Sequence, residues 1–134
     1  MRWAWPLFIS IMASLALSAQ AQTRSESEAN GRKIVTDRRH GLCLLCHAGT
    51  FAEEPFPGNI APDLRVLVQG RSAAELKARI ANPQAYSPES VMPAYGVPRN
   101  DPRVGQRWRN QPILSDQELD DVVAFLMTLQ EPRP

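Results

Sequence analysis

Two cysteines and a histidine lie together in the segment Cys43-Leu44-Leu45-Cys46-His47, and the chain of 134 residues contains no further cysteine. Two thiols with this spacing on a helical turn can reach the two vinyl groups along one edge of a porphyrin. The histidine that follows them is then carried beneath the iron, where its imidazole can act as an axial ligand. The segment C-x-x-C-H therefore predicts one covalently attached haem c, bound through Cys43 and Cys46 and ligated by His47.

The same segment admits three other interpretations. A disulfide across so short a loop stabilises little, and a thioredoxin-like redox pair needs a βαβ setting that this sequence lacks. A zinc site would have three ligands here and would require a fourth, for which only His40 or an acidic residue is at hand. A haem-free thiol or disulfide protein is therefore kept as the distant alternative.

Met92, Met127 and His40 are the candidates for the second axial position. Met127 belongs to a helical apolar stripe, where a methionine usually fills core space, and His40 precedes Cys43 so closely that it is expected to be a solvated loop residue. Met92 lies in a loop, followed by a proline that favours extended backbone; a buried loop methionine without a ligand role is its structural alternative. The prediction is that His47 and Met92 fill both axial positions, which suits the iron to one-electron transfer.

Four helical segments, separated by proline-rich loops, must position these residues. The first is expected to end at Arg38, with Gly41 just beyond it as the stop signal and residues 22–27 frayed ahead of it. The third and fourth begin with capping-box sequences at Ser72 and Ser115, and no segment alternates as a half-buried strand would. The four segments are residues 28–38, 64–69, 72–82 and 115–129. The last one carries a broad apolar stripe: Leu119, Val122, Val123, Phe125, Leu126 and Leu129. The predicted fold class is a small, loop-rich, all-α domain wrapped around one haem.

The first 21 residues have the layout of a secretory signal peptide, with Arg2, an apolar run over residues 7–17, and Ala19-Gln20-Ala21 as the cleavage signal. The apolar run is too short to span a bilayer. We therefore expect residues 1–21 to be a cleaved signal peptide, and residues 22–134 to form one domain in the periplasm that is not embedded in the membrane.

The charge balance restricts the partners of this domain. The chain has 15 basic and 14 acidic residues, and removal of Arg2 with the signal makes the two numbers equal. This balance disfavours nucleic acid and anionic membranes as partners. Arg103, Arg107 and Arg109 surround Trp108, and that segment is interpreted as a packed loop, with a partner contact as its functional alternative.

The order of these segments resembles the class I cytochrome c fold, in which the first and last helices cross. By that analogy Gly31 permits the close approach of the two helices, with Val35 and Phe125 nearby. The analogy also implies that the carbonyl of Pro62 orients the axial His47.

The strings GLCLLCHAG, GNIAPDL, ELKARIANP, VMPAYG, RVGQRWRNQPILS and ELDDVVAFLMTL are similar to the X subunit of the sulfur-oxidation (Sox) system over nearly all of residues 22–134. The resemblance implies a monohaem cytochrome that pairs with a larger haem-bearing A subunit, SoxA, in the periplasm. The complex would be an L-cysteine S-thiosulfotransferase that couples thiosulfate oxidatively to a cysteine of the carrier SoxYZ. The family's haem cysteines match Cys43 and Cys46, and its axial ligands match His47 and Met92.

The residues agree with an electron-accepting role. Joining thiosulfate to a thiol releases two electrons, yet this chain has no spare thiol and no open iron position in the predicted ligand set. We therefore expect an enzyme subunit that is not catalytic alone and that passes electrons to a downstream acceptor. A free-standing class I cytochrome c that shuttles electrons between other partners is the nearer alternative.

Overall fold

The structure, a computed structural model, describes the backbone of residues 5–130 and the side chains of residues 20–130. Its α-helices are α1 (Trp5–Thr36), α2 (Leu64–Val68), α3 (Ala73–Ala81) and α4 (Asp116–Met127). Three short 3-10 turns cover Cys43–Leu45, Pro83–Ala85 and Gln106–Trp108. Within residues 5–130 there are isolated β-bridges but no strand, which confirms the all-α class with four helices and long loops.

The N-terminal helix differs from its predicted bounds. Residues 22–27, expected to be frayed, are helical, and Ser27 at the end of this stretch donates a hydrogen bond of 2.5 Å to the carboxylate of Asp121 on α4. The helix ends at Thr36, two residues before the predicted end at Arg38, and Gly41 lies beyond it, as predicted. Most of the predicted signal peptide, residues 1–21, lies outside the described side chains. No helix in the described part of the chain meets the length and hydrophobicity that a membrane crossing requires.

Helices α1 and α4 cross in close contact. A Cβ atom placed on Gly31 would lie 1.9 Å from the carbonyl oxygen of Asp121 and 2.9 Å from the Cβ of Phe125, so only glycine lets the helices approach this closely. The buried carboxylate of Asp121 also accepts a hydrogen bond from Gln117. The expectation that Gly31 lies at a close helix crossing near Phe125 is confirmed.

Capping residues define the starts of the shorter helices, as predicted. Ser115 accepts a hydrogen bond from the amide of Glu118, whose carboxylate accepts one from the Ser115 amide at 2.8 Å, a complete capping box. Ser72 caps α3 by accepting from the amide of Glu75. The apolar stripe of α4 faces the core through buried Leu119, Val122, Val123, Phe125 and Leu126. The helix ends at Met127 and not at the predicted residue 129, so the half-buried Leu129 follows it.

Candidate haem site

The segment around the two cysteines is a tight turn anchored by its central leucine. Leu42 adopts the left-handed conformation, with φ of 60°, and the 3-10 turn that follows places the amide of His47 3.0 Å from the carbonyl oxygen of Cys43. Leu44 is buried in the core. Because Leu44 is turned into the core, Cys43 and Cys46 are left beside the cavity described below.

His47 is held by the loop that precedes α2. Its Nδ1 lies 2.8 Å from the carbonyl oxygen of Pro62, and the amide of Ala61 donates to the carbonyl of Cys46 at 2.9 Å. An Nδ1–H that donates to Pro62 leaves the Nε2 lone pair available to a metal ion. The structure thus places the Pro62 carbonyl where the resemblance to class I cytochromes c implied.

A cavity of about 320 Å³ is lined both by residues 43–47, here called the attachment segment, and by residues 91–95, here called the methionine loop. Cys43, Cys46, His47 and Met92 all line it, so the structure brings the four predicted site residues together. A neighbouring cavity of about 230 Å³ shares His47 and Met92 with the first. The apolar lining of the larger cavity includes Val35, Leu64, Ile80, Leu114, Val122 and Leu126.

Met92 is held in place through the backbone of its own loop. The side-chain amide of Gln84 donates to the carbonyl oxygens of Ser90 and Met92, at 2.9 and 2.8 Å. The amide of Met92 itself donates to the hydroxyl of Ser90. With the loop fixed on both sides, the Met92 thioether remains half-buried at the cavity surface.

The two other candidate axial ligands lie elsewhere. Met127 packs against the hydrophobic core and is not among the residues that line either cavity. His40 is a loop residue, as predicted, but its Nε2 lies 3.0 Å from a carboxylate oxygen of Glu118 at the start of α4. That contact directs the His40 side chain toward the N-terminus of α4.

Tyr95 is a functional candidate that the sequence analysis missed. Its hydroxyl donates to the carbonyl oxygen of Gly41 at 2.6 Å, and its side chain is only 3% exposed. The Cys43 thiol contacts the same carbonyl oxygen at 3.4 Å. Burial raises the pKa of Cys43 to about 11 and also raises the pKa of Tyr95. Tyr95 thus joins the methionine loop to the attachment segment, a contact that no local sequence pattern signals.

The donor set fits haem c. Two thiols, an imidazole nitrogen and a thioether sulfur line one apolar cavity, and nitrogen and sulfur donors of this kind are established axial ligands of haem iron. Among the described residues, no group of three or more His, Cys, Asp or Glu side chains is arranged to hold a metal ion by itself.

Comparisons with known proteins show the family of this chain. The family model for cytochrome c matches residues 28–130. The crystal structure of SoxXA from P. pantotrophus contains a similar chain, with 32% sequence identity and a TM-score of 0.65, over 77% of this chain and 81% of that chain. No curated protein sequence matches. The chain therefore belongs to the cytochrome c family and is a SoxX-type cytochrome c with one covalently bound haem c.

Proposed function

We propose that Cys43 and Cys46 attach the haem and that His47 and Met92 are its axial ligands. The support is that all four line one apolar cavity and that the His47 imidazole is oriented by Pro62. When bound, the haem supplies a redox centre that accepts and releases one electron at a time.

The protein's own residues would position and shield this centre. The Pro62 carbonyl holds the imidazole of His47 with its Nε2 lone pair available. Gln84 fixes the backbone of the methionine loop, and the apolar cavity walls exclude water. Exclusion of water and a thioether ligand both favour the reduced iron, which raises the reduction potential.

We further propose that the protein is the electron-accepting subunit of a periplasmic SoxAX complex. In the coupling reaction a sulfur–sulfur bond forms between thiosulfate and the carrier cysteine, the thiol proton is lost, and two electrons leave. The observation that carries the proposal is that Cys43 and Cys46 are the only cysteines of the chain and both line the haem cavity. The sulfur chemistry is therefore assigned to the SoxA subunit and the SoxYZ carrier, and this subunit receives the electrons.

We also propose that the protein is exported to the periplasm. Cleavage of a signal peptide over residues 1–21 would deliver the domain of residues 22–134 to the periplasm, where haem attachment and pairing with SoxA would take place. A downstream electron acceptor would then reoxidise the haem.

Reconstitution from purified components tests this function. The mature cytochrome is mixed with thiosulfate alone, with SoxA added, and with SoxA and SoxYZ added, while haem absorbance and carrier mass are followed. We expect haem reduction and thiosulfate addition to the carrier only in the complete mixture, and neither with a carrier that lacks its cysteine. Thiosulfate addition by this subunit alone would overturn the division of roles, and failure to bind SoxA would favour a free-standing electron shuttle.

A further inference from the structure

A long loop of residues 97–113, here called the arginine–tryptophan loop, begins and ends in the wall of the haem cavity. The amide of Leu114 donates to the carbonyl of Tyr95 at 3.0 Å, just outside the two ends of the loop. Tyr95 and Leu114 both line the larger cavity and are both buried. The loop therefore projects from the same cavity wall that carries Met92.

The loop is held in shape by its own polar groups. The amide of Asn110, which has φ of 59°, donates to the carbonyl of Arg99 at 3.1 Å. The guanidinium of Arg109 donates to the carbonyls of Val104 and Pro102, at 2.8 and 2.7 Å. A surface loop that is closed and braced internally keeps a defined shape without packing on the core, and such loops often carry function.

The outer surface of the loop combines an aromatic ring with positive charge. Trp108 is 58% exposed, so the interpretation of this segment as a packed loop was wrong for that side chain. The guanidinium of Arg107 lies 5.0 Å from the centre of the Trp108 ring, an arrangement that holds both side chains at the surface. The loop contains four arginines, Arg99, Arg103, Arg107 and Arg109, and one acidic residue, Asp101.

The pairing of tryptophan and arginine indicates a protein partner. Both residue types are enriched among the side chains that dominate binding energy at protein interfaces. The positive charge of the loop stands out because acidic and basic residues nearly balance over the whole chain. Complementarity therefore requires a partner surface that is acidic around an apolar recess.

We propose that the arginine–tryptophan loop is a docking element for the electron-donating partner, with Trp108 seated in an apolar recess that is ringed by carboxylates. The inference rests on the proposed function, which supplies SoxA as that partner. Because the loop projects from the cavity wall beside Met92, a protein that binds the loop would lie next to the haem. The loop thus couples recognition of the partner to a short path for the electron.

Affinity measurements on the mature holo-cytochrome test the proposal. Trp108→Ala should weaken binding to SoxA by about 30-fold or more, as expected for an interface anchor. Arg107→Glu should lower the affinity for SoxA about tenfold, chiefly because association is slower. The affinity of this variant should also depend less on salt concentration than that of the wild type. Phe56→Ala and Lys33→Glu, which change an exposed aromatic and an exposed cation outside the loop, should stay within about twofold of the wild type. The haem absorption spectrum of all four variants should match the wild type.

The outcomes separate the two proposals. Wild-type binding that is unaffected by Trp108→Ala and Arg107→Glu would overturn the docking role of the loop and leave the proposed function standing. If the wild type does not bind SoxA at all, both proposals fail together. Tight, loop-dependent binding of a single-stranded DNA oligonucleotide with none of SoxA would overturn the assignment of an acidic protein partner.

Discussion

The helix crossing is closely packed, whereas the haem cavity is an open space with apolar walls. At the crossing, Gly31 brings the backbone of α1 against the carbonyl of Asp121, and the nearby carboxylate is satisfied by Ser27 and Gln117. The haem cavity is instead a space of about 320 Å³ with apolar walls, formed mainly by loops. The crossing is stabilised by the protein's own packing, whereas the loops of the cavity depend on what they enclose.

Several apolar residues that line the cavity are also exposed to solvent. Leu45, Ile60 and Val91 all line the cavity and are also 41, 79 and 94% exposed. Apolar surface concentrated at one cavity indicates a site for a ligand or a partner. The difference between the regions predicts that changes at the crossing alter folding, while changes at the cavity alter what is bound.

Removal of both attachment cysteines should have the largest effect. We expect the double variant Cys43→Ala and Cys46→Ala to contain no covalent haem, because no other cysteine exists in the chain. The loops around the cavity should then lose their packing partner, and the folded holo-protein should be lost. Haem staining after denaturing electrophoresis measures this, with His40→Ala as a control that keeps its haem. Covalent haem in the double variant would contradict the assignment.

Gly31→Ala should disrupt the crossing itself. The added methyl group meets the Asp121 carbonyl oxygen at 1.9 Å, so the helices must separate, at a cost of about 3 kcal/mol in the free energy of unfolding. Helix propensity favours alanine by about 1 kcal/mol, so a net loss must come from the contact. Denaturant unfolding of the holo-protein measures it. Gly105→Ala, where a Cβ meets only an ordinary contact of 3.7 Å, should cost less than about 0.5 kcal/mol; equal losses at the two sites would contradict this explanation.

Tyr95→Phe isolates the link between the methionine loop and the attachment segment. The variant keeps the ring but leaves the Gly41 carbonyl without its 2.6 Å hydrogen bond, which should cost about 1–2 kcal/mol. The loop should also release Met92 more readily, so cyanide should bind the ferric iron faster than in the wild type. Tyr86→Phe makes the same chemical change at a half-exposed ring over Arg79 and should alter neither property. Equal cyanide rates in all three proteins would show that Tyr95 does not position the loop.

Acidification should have the smallest effect on the free energy of unfolding, through Glu118 at the start of α4. The Ser115 backbone amide, the Ser115 hydroxyl and His40 lower the pKa of Glu118. A carboxylate whose pKa is lowered on folding contributes stability above its ordinary value of about 4.3, and this is lost as pH falls through the lower folded value. Glu118→Gln should therefore flatten the dependence of the free energy of unfolding on pH below about 4.3, without changing covalent haem content. An unchanged acid dependence in this variant would contradict the role of the capping box.

Local signals allowed most of the helices and the site to be predicted. The capping-box sequences at Ser72 and Ser115 signalled the starts of α3 and α4 because an N-cap acts within one turn of chain, and only Ser115 forms the complete box. The attachment segment could be interpreted for the same reason, since its chemistry is contained in five consecutive residues. Met92 was singled out by its loop setting and its proline neighbour, and the structure places it in the same cavity as His47.

Apart from the helix crossing and the Pro62 contact, which the resemblance to class I cytochromes c implied, contacts between distant parts of the chain could not be predicted. Ser27 bonds a carboxylate 94 residues away, and Tyr95 bonds the Gly41 carbonyl across 54 residues. Gly41 was interpreted as a helix stop, but it is needed because a Cβ there would lie 2.1 Å from the Ile34 carbonyl oxygen. None of these relations leaves a periodicity or motif in the sequence, since each arises only when the chain has folded.

Met92 is the proposed second axial ligand of the haem, and spectroscopy of two methionine variants in the oxidised state tests this assignment. Met92 lines the cavity, whereas Met127 packs against the core. We expect the weak long-wavelength charge-transfer band of methionine-ligated ferric haem to disappear in Met92→Ala and to persist in Met127→Leu. A band that survives in Met92→Ala and is lost in Met127→Leu would contradict it.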